Sequence, residues 1–130
     1  MNKFNQDKIK SFTDLDAWKK AYGIALEIYA ITAKFPKEEI FGIVSQMRRC
    51  VVSITSNIAE GFSRKTFGEK IQFYSMAQGS VTELQNQLII SRGVRYLNQD
   101  DFHNIAAKMI VLHKIISGLI KKSKSYNIHS

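Results

Sequence analysis

Between Gln46 and Glu69 the polar residues of the segment QMRRCVVSITSNIAEGFSRKTFGE fall on one helical stripe. At roughly 100° per residue, Gln46, Arg49, Ser53, Asn57 and Glu60 occupy an arc of about 80°. Ile43, Val44, Met47, Val51, Ile54 and Ile58 fill the opposite arc. A solvated face would be rich in Lys and Glu, whereas Asn and Ser are poor helix formers at interior positions. The pattern predicts a polar seam within an assembly, and it does not predict an active site.

The same periodicity predicts four helices with short, punctuated joints. The first covers Asp14 to Lys34, with Thr13 or Asp14 as its N-cap, and ends at Phe35-Pro36 because Pro cannot continue the hydrogen-bond ladder. Pro36 also suits the first position of the second helix, with Glu38 and Glu39 at its positive end. That helix is expected to run to Glu60 and stop at Gly61 as a C′ glycine. Thr66-Phe67-Gly68-Glu69 reads as a capping box opening a third helix that reaches about Gly93. Asn98-Gln99-Asp100-Asp101 caps a fourth, ending near Lys122. Period-two alternation is too short anywhere to predict a strand. Short joints imply antiparallel neighbours, so the expected fold class is all-α, an up-down-up-down four-helix bundle. The expected organisation is a loose N-terminus (1–11), one bundle domain (12–123) and a loose C-terminus (124–130).

Two helices carry more apolar surface than a lone bundle needs. On the first, Leu15, Trp18, Tyr22, Ala25, Leu26, Tyr29 and Ala33 form one face, and Ala17, Ala21, Ile24, Ile28 and Ile31 a second. On the fourth, Phe102, Ile105, Met109, Leu112, Ile116 and Leu119 form a core stripe, with Ile110, Val111 and Ile115 outside it. A soluble helix normally shows one apolar stripe, so a second predicts burial against another copy.

The third helix repeats the polar theme: Glu69, Gln72, Gly79, Ser80, Glu83 and Gln87 cluster within about 80° at 100° per residue. Facing the stripe of the second helix, it would pair Arg49 with Glu83 and Asn57 with Gln78 or Ser80. Gly79 and Ser80 are small enough to admit a close neighbour. The seam and interface candidates are therefore Gln46, Arg49, Ser53, Asn57, Glu60, Ser80 and Glu83.

Composition narrows the function classes. The chain has 130 residues, 45% of them hydrophobic, one Cys and a formal net charge of +8. A single thiol excludes an intrachain disulfide and fits a reducing cytoplasm. Cys50 reads as a small core residue. MNKFNQDKIK has no apolar signal core, and Lys108, His113 and Lys114 interrupt the longest apolar run, so a soluble cytoplasmic protein is expected. No catalytic set emerges. His103, His113 and His129 lack metal-ligand spacing, and there is no phosphate-binding glycine loop or nucleophile elbow. No catalytic residue, metal site, cofactor, small-molecule substrate or membrane partner is expected.

The positive charge is uneven. No acidic residue follows Asp101, yet Lys108, Lys114, Lys121, Lys122 and Lys124 do. Such a balance favours salt-sensitive contact with nucleic acid or acidic partners, although lysines in a last helical turn are also favoured by the helix dipole. Arg48, Arg64, Lys65 and Lys70 are the candidate RNA or DNA contacts. Arg64 and Lys65 sit in a loop, with Phe62 and Phe67 nearby either as stacking surfaces or as core closures.

Residues SNIAEG at 56–61, preceded by QMRRCVVSI and followed by AQGSVTEL at 77–84, resemble the four-helix-bundle proteins named after 23S rRNA intervening sequences. LDAWKKAYGIALEIYAITAKFPKEEIFGI (15–43) and VRYL (94–97) fit the same pattern, so the resemblance covers about Phe12 to Leu97. The family usually shows Pro after SI. Thr55 stands there in this chain, which predicts a straighter helix. The resemblance implies a ring-forming homopentamer. Accessory variability proteins of retroelements, pentameric bundles that bind a reverse transcriptase and nucleic acid, are similar but more distant, lacking SNIAEG and GS-x-x-EL. The expected function is thus a non-enzymatic oligomeric scaffold or interaction module. The alternative is a basic ring that binds RNA or DNA, alone or with a reverse transcriptase.

Overall fold

The computed structural model describes residues 9–129. It contains four α-helices, α1 (Asp16–Thr32), α2 (Ile43–Ser63), α3 (Phe67–Gly93) and α4 (Gln99–His129), and 3-10 turns at Phe12–Asp14 and Lys37–Glu39. Among the described residues there is no strand, so the fold is all-α. Each of α1 and α3 packs against both α2 and α4, and among the described residues neither diagonal pair touches.

One apolar core joins the four. Ala17, Ala21, Ile24 and Ile28 of α1 meet Met47, Val51, Ile54 and Ile58 of α2, Val81, Leu84 and Leu88 of α3, and Ile105, Met109, Leu112 and Ile116 of α4. Each set follows the three-to-four residue spacing that places side chains on one helix face. Of the two apolar faces of α1, the small one is the core face. Tyr22, Leu26 and Tyr29 on the other remain about half exposed, and Trp18 stacks on Tyr22 with ring centroids 5.0 Å apart.

The helix limits differ from expectation in three places. The Asp14 carboxylate accepts from the backbone amides of Lys10 (2.9 Å) and Ser11 (3.1 Å), and these bonds hold its pKa below the usual value. That closes a separate 3-10 turn capped by Ser11, and α1 starts at Asp16 rather than Asp14. The expected loose N-terminus is therefore tied down at Lys10 and Ser11; residues 1–8 lie outside the described residues.

The second helix does not start at Pro36. Pro36 has extended backbone and caps the Lys37–Glu39 turn, and the Glu39 carboxylate accepts from Tyr96 Oη at 2.7 Å. That bond anchors the turn to the α3–α4 joint, and α2 begins only after Gly42. It then runs unbroken to Ser63, through Thr55, whose hydroxyl donates to the Val52 carbonyl (2.9 Å). Gly61 is therefore not a C′ residue but a buried helical one.

The fourth helix continues past Lys122 to His129, so residues 124–129, expected to be loose, are helical. No Pro or Gly follows Gly118 to break the ladder. Ser123 is buried, its hydroxyl donating to Leu119 O at 2.9 Å. The Tyr126 ring packs 5.1 Å from Phe67 at the start of α3.

Candidate functional site

The polar residues that α2 turns toward α3 form a seam with defined partners. Ser53 Oγ and Ser80 Oγ lie 3.0 Å apart across it, and Cys50 Sγ donates to Ser80 O at 3.1 Å. Asn57 Nδ2 donates to Ser53 O (2.9 Å) and Ser53 Oγ (3.1 Å), staying on its own helix. Farther along, Ser91 Oγ donates to Gln87 O at 2.8 Å and lies 3.6 Å from Met47 Sδ. Each serine saves the volume of a larger side chain and satisfies its hydroxyl locally.

Expected pairs were only partly found. Ser53 and Ser80 meet. Asn57 reaches neither Gln78 nor Ser80 among its recorded bonds, because Ser53, one turn earlier, is within reach of a short amide. Gln78 serves the other side of α3, its Nε2 donating to His113 O (3.1 Å) and Ser117 Oγ (2.6 Å) of α4. No ion pair joins Arg49 to Glu83 among the described residues; both are exposed, and Glu83 accepts from Gln87 Nε2 at 3.4 Å. Gln46 is exposed too. The seam is thus the narrow interior line of Cys50, Ser53, Asn57, Ser80, Gln87 and Ser91, with Gln46, Arg49, Glu60 and Glu83 on its rim. Ser91 was missed in the sequence because an isolated Ser among apolar residues carries no periodic signal.

Close approach along this seam comes from a different glycine than expected. A Cβ on Gly79 would meet nothing within 4 Å, whereas one on Gly61 would lie 2.5 Å from Tyr74 Cε1 and 3.2 Å from Phe73 Cβ. The Tyr74 ring is buried, so Gly61 is the residue that lets α3 lie against the end of α2. Burial also raises the Tyr74 phenol to about 12. Cys50 is likewise raised to about 12, chiefly by burial and secondarily by the Glu83 charge. A thiol so held is protonated and inert at neutral pH.

Three of the four basic candidates are committed to internal contacts. Arg48 lies over the Tyr29 ring at 4.7 Å, with Nε donating to Thr32 Oγ1 (3.0 Å) and Nη2 to Tyr29 O (3.3 Å), so it closes the C-terminus of α1. Lys70 Nζ donates to Phe62 O (2.6 Å) and Gly61 O (3.2 Å), closing α2, and burial lowers its pKa. Arg64 pairs with Glu60 (3.0 Å) and Glu69 (3.9 Å) and covers the Phe73 ring at 4.5 Å. Lys65 is exposed. Glu69 is also the capping partner: Thr66 Oγ1 accepts from its amide (3.2 Å) and donates to its carboxylate (3.0 Å). Arg48 stands near the start of α2 and the other three around the α2–α3 joint, so the four do not form one patch.

Two concavities lie on different sides of the molecule. One, about 640 Å³ and open, is lined by Tyr29, Ile40, Phe41, Arg48, Arg49 and Val52 among others, on the α1–α2 side. The other, about 320 Å³, is lined by Gln85, Leu88, Ile89, Phe102, Ala106 and Ile110 between α3 and α4. Among the described residues no group of three or more His, Cys, Asp or Glu is placed to hold a metal ion. No described helix is long and apolar enough to cross a membrane.

Comparison with known proteins agrees with the placement of the SNIAEG and GS-x-x-EL residues on the seam. A solved structure, a protein of unknown function from the S23 ribosomal protein family of Bacteroides thetaiotaomicron, superimposes with a TM-score of 0.73 at 19% identity, covering 81% of this chain and 98% of that one. At that identity the likeness concerns the fold. A search of curated proteins finds no match. The sequence profile of the 23S rRNA-intervening sequence protein matches residues 13–118, and the chain belongs to that family.

Proposed function

We propose that this protein is a non-enzymatic, self-associating up-down-up-down four-helix bundle that acts as a scaffold or interaction module, assembled as a homo-oligomeric ring. Contacts that step from Met47–Ser91 through Ser53–Ser80 to Gly61–Tyr74 support antiparallel α2 and α3. The observation that carries the self-association is the apolar surface left outside the core. Tyr22, Leu26, Tyr29, Ile40, Phe41 and Val52 are exposed on the α1–α2 side, and Ile89, Ile90, Val94, Ile110 and Val111 on the α3–α4 side. Surfaces of this kind mark association sites. A pentamer is the assembly that the family resemblance favours. Light scattering on the eluting protein tests the reading: a stable multiple of the chain mass is expected, and a monomer at micromolar concentration overturns it.

A second reading, a basic ring that binds RNA or DNA with or without a reverse transcriptase, draws on the exposed Lys114, Lys121, Lys122 and Lys124 of α4, where no acidic residue follows Asp101. It draws little on the original patch, since Arg48, Arg64 and Lys70 have internal partners. Retention of an rRNA fragment that weakens steeply with salt is its expected signature. Absence of any RNA or DNA binding at low salt overturns it.

A further inference from the structure

Phe41 is 95% exposed, the most exposed large apolar side chain described. It stands in the joint between the Lys37–Glu39 turn and α2, beside Ile40, which is 52% exposed. The joint itself is anchored: Gly42 N donates to Glu39 O at 2.9 Å, and Glu39 accepts from Tyr96 at 2.7 Å. An anchored loop that presents a bare phenyl ring to water costs hydration free energy unless something covers it. Nothing within the described chain does.

A recess of matching chemistry lies on another side of the same chain. The cavity between α3 and α4 is walled by Leu88, Ile89, Phe102, Ala106 and Ile110, with Gln85 its one polar residue. Ile89 and Ile110 are 60% and 52% exposed. The Tyr96–Glu39 bond places the α1–α2 and α3–α4 joints next to each other, so Phe41 and Phe102 belong to the same end of the molecule. A neighbour set alongside without being turned over therefore offers its recess at the end where the first copy offers its ring.

Charge agrees with that pairing. Lys37 and Glu38 cancel on the 3-10 turn, leaving Arg48 and Arg49 to line the Phe41 side. Asp100 and Asp101 occupy the first turn of α4 beside Phe102.

We infer that Phe41 and Ile40 of one copy insert into the α3–α4 recess of the next, a head-to-tail contact between two different surfaces of identical chains. The inference rests on the self-association proposed above and adds which surfaces meet. Contacts between unlike surfaces leave a free knob and a free recess on every dimer, so they propagate and form a ring when the rotation per copy closes. Gln85 and Ile89 of α3, with Phe102 and Ile110 of α4, set the specificity of the recess.

Cysteine pairing with a short bis-maleimide tests it, because the native Cys50 is buried and silent. A mixture of the Phe41→Cys and Ile89→Cys proteins should crosslink into dimers, while Phe41→Cys alone should not. Phe41→Asp should keep its helical circular dichroism and weaken association by about 30-fold or more, as loss of a central anchor does. Efficient crosslinking of Phe41→Cys to itself, or an unchanged oligomer in Phe41→Asp, overturns the inference and leaves self-association standing. A monomeric wild type overturns both.

Discussion

Glycine shows how little residue type reveals about its role. Gly61 and Gly79 both lie in helices and both stand in signature motifs, SNIAEG and GS-x-x-EL. Only Gly61 is pressed against a buried ring. Gly61→Ala should destabilise the protein by about 1–3 kcal/mol, the usual cost of overpacking. Gly79→Ala should stabilise it by about 0.5–1 kcal/mol through the chain entropy that glycine loses on folding. Urea midpoints of the two variants check both signs together. Cys50 and Tyr74 give a pH dependence. Each holds its proton more tightly when folded, with pKa values raised from 9.0 and 10.0 to about 12. Their contribution is full below the unfolded values and is lost as pH rises toward about 12, since the unfolded chain then binds fewer protons. The urea midpoint should fall from pH 9 upward, and Cys50→Ala should flatten the first part of that fall.

At the scale of the element, the cations act mainly as helix closures. Arg48 binds the last carbonyls of α1 from α2, and Lys70 binds those of α2 from α3. A side-chain cation at a helix C-terminus satisfies orphan carbonyls and meets the negative end of the dipole. Arg48→Met should therefore cost about 1 kcal/mol of stability, read by thermal or urea unfolding. If nucleic acid binds at all, its affinity should follow the exposed lysines of α4 and not Arg48 or Lys70; filter binding of Arg48→Met against a Lys121→Gln, Lys122→Gln, Lys124→Gln variant checks this. The length of α4 follows the same logic of local partners. Ser123 and Tyr126 each find a contact that a frayed tail would lack.

For the whole molecule, the consequence of the uncovered apolar faces is mass action. If copies bury Tyr22, Leu26 and Phe41 against one another, the folded state is favoured by concentration. The thermal midpoint should rise across a hundredfold increase in protein concentration, and Phe41→Asp should abolish that rise. A midpoint independent of concentration would contradict the assembly. The four-helix arrangement supplies the geometry for this: each helix touches two neighbours and keeps an outward side.

Periodicity, caps and proline were enough to read the all-α class, the four helices and the family from the chain alone, because those signals act within one or two turns. The Thr66–Glu69 box, the stop at Phe35-Pro36 and the core stripe of α4 are of this local kind. What lay beyond reach depended on residues far apart in sequence. Whether Arg48 faces solvent or Thr32, whether Gly61 or Gly79 admits the neighbour, and which apolar face of α1 is the core are decided by how helices are placed against each other. A side chain's environment is set by packing across elements, while its helical phase is set by its own chain. So the polar stripe from Gln46 to Glu60 was legible as a stripe. Only the tertiary structure resolved it into an interior line of Ser53, Asn57 and Ser80 with its charged residues left on the rim.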